Sequence, residues 1–221
     1  MGSVRGRVAQ VALLAVVLGG CAGSPEGGDV KSSPSASTAG RGPGTATGEV
    51  AESAGRTGAA GSACELPVTF DIAKGWKAKA VEAEAHADGV AGDLADALLH
   101  QGPVTAVCEI DAKPAGHIGF LRVWKGKPGD ADARAVLRAF VAAEDNTSKE
   151  KYRAFRTGGV SGVEVEYVYT SKLLDESKKE TALAVTTPHG PVVLHLGGLD
   201  TEEHEKMRPA YELAKRTLRA S

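Results

Sequence analysis

The stretch HIGFLRVWK at residues 117–125 has apolar side chains on both faces of the β-strand that it predicts. Successive side chains of a strand point to opposite faces of the sheet. Phe120 and Trp124 therefore share one face. The other face carries Leu121 and Val123. A strand with so little polar surface belongs in the middle of a sheet that is covered on both sides.

The segments around this stretch predict antiparallel pairing. Val104–Asp111 precedes it as a second strand, and the turn-forming residues 113–116 join the two. Two further hairpins are predicted at residues 150–171 and 181–196, each with Gly or Pro at its turn. Hairpins place consecutive strands side by side, so the sheet is expected to be antiparallel.

Amphipathic patterns predict the layers that cover this sheet. Asp130 or Asp132 begins a predicted helix that ends near Glu144. A short helix is predicted at residues 94–101, and a longer one closes the chain at residues 201–219. Together these elements predict an α+β fold, in which a single domain has an antiparallel sheet sandwiched between helices.

The N-terminus has the pattern of a secretory signal that ends at a cysteine. Basic residues precede the apolar run Val8–Leu18, which is too short for a membrane-spanning helix of about 20 residues. The ending LGGC, residues 18–21, resembles the lipobox of bacterial lipoproteins. That resemblance implies a signal peptide at residues 1–20, a diacylglyceryl group on Cys21 and a location on the outer face of the cytoplasmic membrane. The alternative is an ordinary cleaved signal with an incidental cysteine.

A change of composition divides the remaining chain into a linker and a domain. Residues 22–63 are mostly Gly, Ala, Ser and Thr, without aromatic residues, Leu or Ile. Such a segment buries too little apolar surface to offset its conformational entropy. We therefore expect residues 21–63 to be a disordered linker behind the lipidated cysteine, and residues 64–221 to form the globular domain.

The two other cysteines, Cys64 and Cys108, are predicted to form a disulfide, because the lipoprotein signal implies export to an oxidising compartment. Cys64 alternates with the apolar residues at 66, 68 and 70. Cys108 is predicted to share its strand face with Val104, Ala106 and Ile110. Both sulfurs would then point into the core; the alternative is two buried free thiols.

Charge and motifs exclude several functional classes. The net charge is −2, and acidic and basic residues are interspersed along the chain. The sequence contains no run of basic residues of the kind that indicates nucleic-acid binding. No His-Glu-x-x-His, Gly-x-Ser-x-Gly or phosphate-loop motif is present, so no catalytic residue, metal or cofactor is predicted. The six histidines are interpreted as incidental surface residues, and Trp76 and Trp124 as core.

One pair of carboxylates fits a hydrolytic reaction. Glu164 and Glu166 lie on one face of a predicted strand, about 6.5–7 Å apart. That separation suits an inverting glycosidase. The same alternation is typical of any half-exposed strand, and we favour a solvated face over a catalytic pair.

The folded part also resembles a known superfamily. A strand of alternating apolar residues leads into Gly75-Trp76, and mixed strands and a closing amphipathic helix follow. This order resembles the PsbP-like superfamily, which includes the LpqN-type lipoproteins of actinobacteria. The superfamily usually has proline before Gly-Trp, whereas this chain has Lys74. The resemblance implies an antiparallel sheet between helices and a non-catalytic binding or adaptor role.

The sequence therefore predicts a non-enzymatic domain that is anchored to the membrane by lipid and binds an envelope protein, a wall polymer or a small ligand. Two alternatives stay open. One is a cell-wall glycoside hydrolase that uses Glu164 and Glu166. The other is a structural envelope component without a ligand.

Replacing Cys21 by alanine tests the anchor. Cys21→Ala removes the thiol that would carry the lipid, so the protein is expected to leave the membrane fraction. Cell fractionation and mass spectrometry of the N-terminus measure this effect, with wild-type protein as the control. An uncut, unmodified N-terminus on wild-type protein from the cytosol would contradict the prediction.

Overall fold

The computed structural model describes residues 49–81 and 99–221. The predicted signal peptide, Cys21 and the linker up to residue 48 lie outside the described residues. Most of the predicted helix at residues 94–101 also lies outside them. The last two residues of that predicted helix, His100–Gln101, form a short strand instead.

The described part contains eleven strands and two α-helices. The strands are β1 (Ser53–Thr57), β2 (Val68–Ala73), β3 (Lys77–Ala80), β4 (His100–Gln101), β5 (Val104–Asp111), β6 (Gly119–Gly126), β7 (Thr147–Thr157), β8 (Val160–Ser171), β9 (Glu176–Thr187), β10 (Gly190–Gly198) and β11 (Arg219–Ala220). The helices are α1 (Ala133–Ala142) and α2 (Thr201–Thr217).

An eight-stranded antiparallel sheet forms the centre of the domain. Its order is β3-β5-β6-β10-β9-β8-β7, with β4 paired to β5. The three predicted hairpins are present as β5–β6, β7–β8 and β9–β10. Strand β10 returns to pair with β6, which places β6 inside the sheet as its two apolar faces predict.

Each face of the sheet has its own hydrophobic core. On one face, α1 contributes Val136, Leu137 and Phe140 to a core that also contains Trp124. On the other face, α2 and the small sheet β1-β2-β11 form a core that includes Leu121 and Val123. The α+β class is confirmed. The prediction that helices cover both faces of the sheet is only partly confirmed. On the α2 side, the strands of the small sheet cover the large sheet together with the helix.

The ordered domain begins earlier than the composition predicts. Strand β1 lies inside the predicted linker and pairs with β2, and Arg56 forms a 3.0 Å ion pair with Asp71. A Cβ at Gly58, which has φ +100°, would lie 2.0 Å from the carbonyl oxygen of Val68. Only glycine fits this close approach of two backbones. Composition alone does not predict this strand, because its backbone pairing with β2, rather than buried apolar side chains, stabilises it.

A β-bulge in β5 changes the environment of Cys108. The pairing with β6 shifts between Ala106 and Cys108, so that Val107 is an extra residue. Val104 and Ala106 therefore belong to the α1-side core, whereas Cys108 and Ile110 belong to the α2-side core. The prediction that these four residues share one face is wrong, because an extra residue reverses the alternation.

The bulge turns Cys108 toward the segment that carries Cys64. The structure contains the disulfide between these residues, with Cα atoms 5.9 Å apart and both side chains buried. It joins the segment before β2 in the small sheet to β5 in the large sheet. The disulfide thus ties the two sheets together across the α2-side core.

Removing the disulfide is expected to destabilise the domain strongly. The bridged residues are 44 apart in sequence. The chain-entropy model gives up to about 4 kcal/mol of stabilisation for a loop of this length. Denaturant unfolding of the Cys64→Ala/Cys108→Ala variant measures the loss.

A thiol reductant provides the matched control for this experiment. It should destabilise the wild type by a similar amount and leave the double variant unchanged. A wild type that is indifferent to reductant would contradict the prediction.

Candidate functional site

A cleft of about 440 Å³ opens on the α1 side of the large sheet. Strands β6, β9 and β10 supply most of its lining in the described part of the chain. Its walls combine aromatic and charged side chains, among them Phe120, Arg122, Trp124, Lys178, Glu180 and His195. The cleft therefore brings together residues as far apart in the sequence as Gln101 and Leu199.

A buried carboxylate anchors the polar part of the cleft. The side chain of Glu180 is only 2 % exposed, and it accepts a short hydrogen bond from Nε2 of His195. The ammonium group of Lys178 lies 2.7 Å from its other oxygen. Burial alone would raise the pKa of Glu180, but the charges and hydrogen bonds of His195 and Lys178 outweigh it and lower the pKa to about 2.

A tyrosine links this carboxylate to a second one. The buried hydroxyl of Tyr167 donates to Glu144 at 2.8 Å and lies 3.3 Å from Glu180 and 3.2 Å from Nε2 of His195. Burial, and then the charge of Glu180, raise the pKa of Glu144. Burial and the two carboxylates raise the pKa of Tyr167 well above 10, so its hydroxyl keeps its proton. We call Glu144, Tyr167, Lys178, Glu180 and His195 the polar cluster.

An aromatic wall faces the polar cluster. The guanidinium of Arg122 lies 4.4 Å from the ring centre of Phe120 and 5.7 Å from that of Trp124. Glu109 pairs with the same guanidinium at 2.6 Å, so Arg122 is already neutralised. Within the described part of the chain, the buried indole N–H of Trp124 has no hydrogen-bond partner. This wall therefore presents aromatic surface beside an arginine that already has a carboxylate partner.

The carboxylates singled out from the sequence lie on the opposite face of the sheet, against α2. Glu164 is buried and pairs with Lys215 at 2.9 Å. Glu166 lies between Arg153 at 3.1 Å and Arg208 at 3.0 Å. Burial would raise the pKa of Glu166, but these arginines lower it. The interpretation as a solvated face is wrong, because the amphipathic helix α2 presents cations to this part of the strand.

Two of the histidines interpreted as surface residues lie largely inside the domain: the side chain of His195 is 12 % exposed, and His204 is buried. His195 belongs to the polar cluster, and His204 of α2 is 1 % exposed with Nε2 3.0 Å from the hydroxyl of Thr181. Burial lowers the pKa of His204 to about 4, so it is neutral at physiological pH. One feature of the sequence indicates that His195 is not a surface residue. It interrupts the apolar run of β10, where a polar side chain needs a buried partner.

The described residues contain no group of three or more His, Cys, Asp or Glu side chains whose arrangement could hold a metal ion. They also contain no helix that is long and apolar enough to cross a membrane. Trp76 and Trp124 are both buried, as the strand pattern predicts, although Trp124 also lines the cleft.

Comparison with known proteins identifies similar sequences and structures. The profile of a family described as uncharacterised lipoprotein matches residues 34–218. Cyanobacterial PsbP (CyanoP) from Synechocystis is similar in structure, with a TM-score of 0.46, 13 % identity and coverage of 76 % of this chain and 99 % of its own.

LpqN of Mycobacterium tuberculosis, a protein involved in cell envelope biogenesis, gives a TM-score of 0.40, 15 % identity and coverage of 76 % and 91 %. The family match confirms the prediction of a lipoprotein. No curated protein sequence matches this chain significantly.

The polar cluster is expected to stabilise the fold in a pH-dependent way. Glu180→Gln removes a charge whose pKa falls from 4.5 to about 2 on folding, a contribution on the order of 3 kcal/mol. A depressed carboxylate pKa stabilises the fold above the unfolded value. The difference in unfolding free energy between wild type and variant should therefore be full above about pH 5 and should shrink as the pH falls toward about 2.

Denaturant unfolding across this pH range measures the difference. Glu176→Gln, at an exposed position of the same strand, is the matched control and should change the free energy by less than about 0.5 kcal/mol. A loss for Glu180→Gln that does not depend on pH would contradict the prediction.

Proposed function

This chain belongs to a family of uncharacterised lipoproteins, and from that premise we propose that it is an extracytoplasmic lipoprotein whose domain binds a ligand without enzymatic activity. In this proposal a lipid on Cys21 holds the protein at the outer face of the cytoplasmic membrane. The cleft between the aromatic wall and the polar cluster is the binding site.

The cleft itself, which combines the aromatic side chains Phe120 and Trp124 with members of the polar cluster, is the observation that carries this proposal. The volume of about 440 Å³ lies within the range of small-molecule sites. The ligand that fits has an apolar body to contact Phe120 and Trp124 and a polar group to contact the polar cluster.

The charges of the cleft favour binding over catalysis. Glu180 is held by Lys178 and His195, and a carboxylate with a pKa of about 2 is a weak base at neutral pH. No Ser, Thr or Cys is among the described residues that line the cleft. The cleft therefore offers a carboxylate that already has partners and, among its described lining residues, no nucleophile of these types.

The hydrolase alternative has less support. Its two carboxylates, Glu164 and Glu166, form ion pairs with Lys215, Arg153 and Arg208. These pairs join the sheet to α2 and occupy the oxygens that an acid and a base would need. A structural role for the two glutamates accounts for their burial.

A glycine in the cleft wall allows a direct test. Gly197 lies in β10 without a left-handed backbone, and a Cβ there would make ordinary contacts of 3.5 Å with Phe120 and 3.8 Å with His195. Gly197→Leu should therefore fill the cleft without backbone strain. Gly129→Leu is the matched control, because a Cβ there meets nothing within 4 Å.

The probe is 1-anilinonaphthalene-8-sulfonate, which combines apolar rings with sulfonate acceptors. We expect saturable fluorescence enhancement with wild type and Gly129→Leu, and about tenfold weaker binding with Gly197→Leu, roughly the effect of losing one buried side chain's contacts. Equal titrations for the two leucine variants would contradict the proposed site.

A further inference from the structure

All the large apolar side chains that are exposed in the described part of the chain lie in three short segments. Leu173 is 92 % exposed and Leu174 is 65 % exposed in the turn between β8 and β9. Leu199 is 63 % exposed after β10, and Ile118 is 59 % exposed before β6. Single exposed leucines are ordinary on protein surfaces, so their position relative to one another decides whether they matter.

The four side chains are grouped at one end of the large sheet. The N–H of Leu199 donates to the carbonyl of Ile118 at 3.1 Å. Leu174 and Leu199 line the same cavity of about 260 Å³. Leu173 is the chain neighbour of Leu174 at the tip of the turn. We call Ile118, Leu173, Leu174 and Leu199 the apolar end.

Charge does not explain this end of the domain. Lys172 precedes the two leucines in the turn, and Asp175 and Glu176 follow them, so the turn carries both signs. The nearby cations Lys178 and Lys179 already pair with Glu180 and Glu205. This end of the domain therefore offers no surface of one charge to a strongly charged partner. Its exposed apolar side chains are instead complementary to an apolar environment.

The start of the described chain places the predicted tether near the same end. The N–H of Ala51 donates to the carbonyl of Pro209 at 3.0 Å, and the backbone N–H of Lys179 donates to the hydroxyl of Thr201 at the start of α2. Residues 201 and 209 are about 12 Å apart along a helix. The 29 residues from Cys21 to Glu49 have a composition that predicts a coil reaching about 30 Å. A bilayer holding Cys21 would thus stay within reach of the apolar end.

We infer that the apolar end docks on the lipid bilayer beside the anchor. This inference rests on the lipid anchor of the proposed function. Leu173 and Leu174 enter the boundary between headgroups and acyl chains, while the ammonium of Lys172 stays among the headgroups. Because Ile118 and Leu199 also line the ligand cleft, docking presents that cleft to the bilayer surface.

Quenching by brominated lipid tests the contact. The full chain, processed and lipidated in cells, is reconstituted into phosphatidylcholine vesicles with or without bromine on the acyl chains. Leu173→Trp places a reporter in the apolar end. His189→Trp places the same reporter on the exposed β9–β10 turn, at the opposite end of β9. The native Trp76 and Trp124 are buried and serve as a common background.

We expect bromine to reduce the emission of the Leu173→Trp reporter by about twofold, since side chains of interfacial segments lie at acyl-chain depth. The His189→Trp reporter should be unaffected. Because apolar contact drives docking, added salt or anionic lipid should change neither result.

Vesicle-bound Leu173→Trp protein without quenching would overturn the docking and leave the anchor intact. A reporter that becomes shielded only when envelope proteins are added would assign the apolar end to a protein partner, which also overturns it. Protein that does not stay with the vesicles would contradict the anchor and the docking together.

Discussion

The adjacent strands β6 and β10 carry apolar side chains on both faces, so the fold must cover each face with a separate layer. One layer is α1. The other is built from α2 and the three-stranded sheet. The disulfide between Cys64 and Cys108 then fastens the small sheet to the large one. The two hydrophobic cores of the domain lie between the large sheet and these two layers.

The polar cluster is a group of charged and polar side chains within this otherwise apolar interior. Burying Glu180 is unfavourable unless cations and donors surround it, and His195 and Lys178 supply both. Tyr167 extends the network to Glu144 at the end of α1. The cluster thereby joins β8, β9 and β10 to the covering helix. It also gives one wall of the cleft a fixed polar surface opposite Phe120 and Trp124.

The cleft and the apolar end share two residues, Ile118 and Leu199. Lys178 and Leu199 in turn line the cavity beside Leu174. Binding and docking are therefore proposed for neighbouring surfaces rather than for opposite ends of the domain. A lipoprotein with this arrangement would hold its ligand close to the membrane that anchors it. The ion pairs between α2 and the strand that carries Glu164 and Glu166 lie on the other face and stabilise the layer there.

The sequence by itself determined the class of fold, the three hairpins and the central position of β6, because each depends on alternation or turn residues within a short segment. Only the tertiary structure decided that β10 returns beside β6, that Val107 bulges and turns Cys108 to the other core, and that Ser53–Thr57 pairs with β2. Only it placed Glu180, His195 and Tyr167 together. These outcomes depend on which strands become neighbours, and contacts between distant segments leave no periodic trace in the sequence of either one.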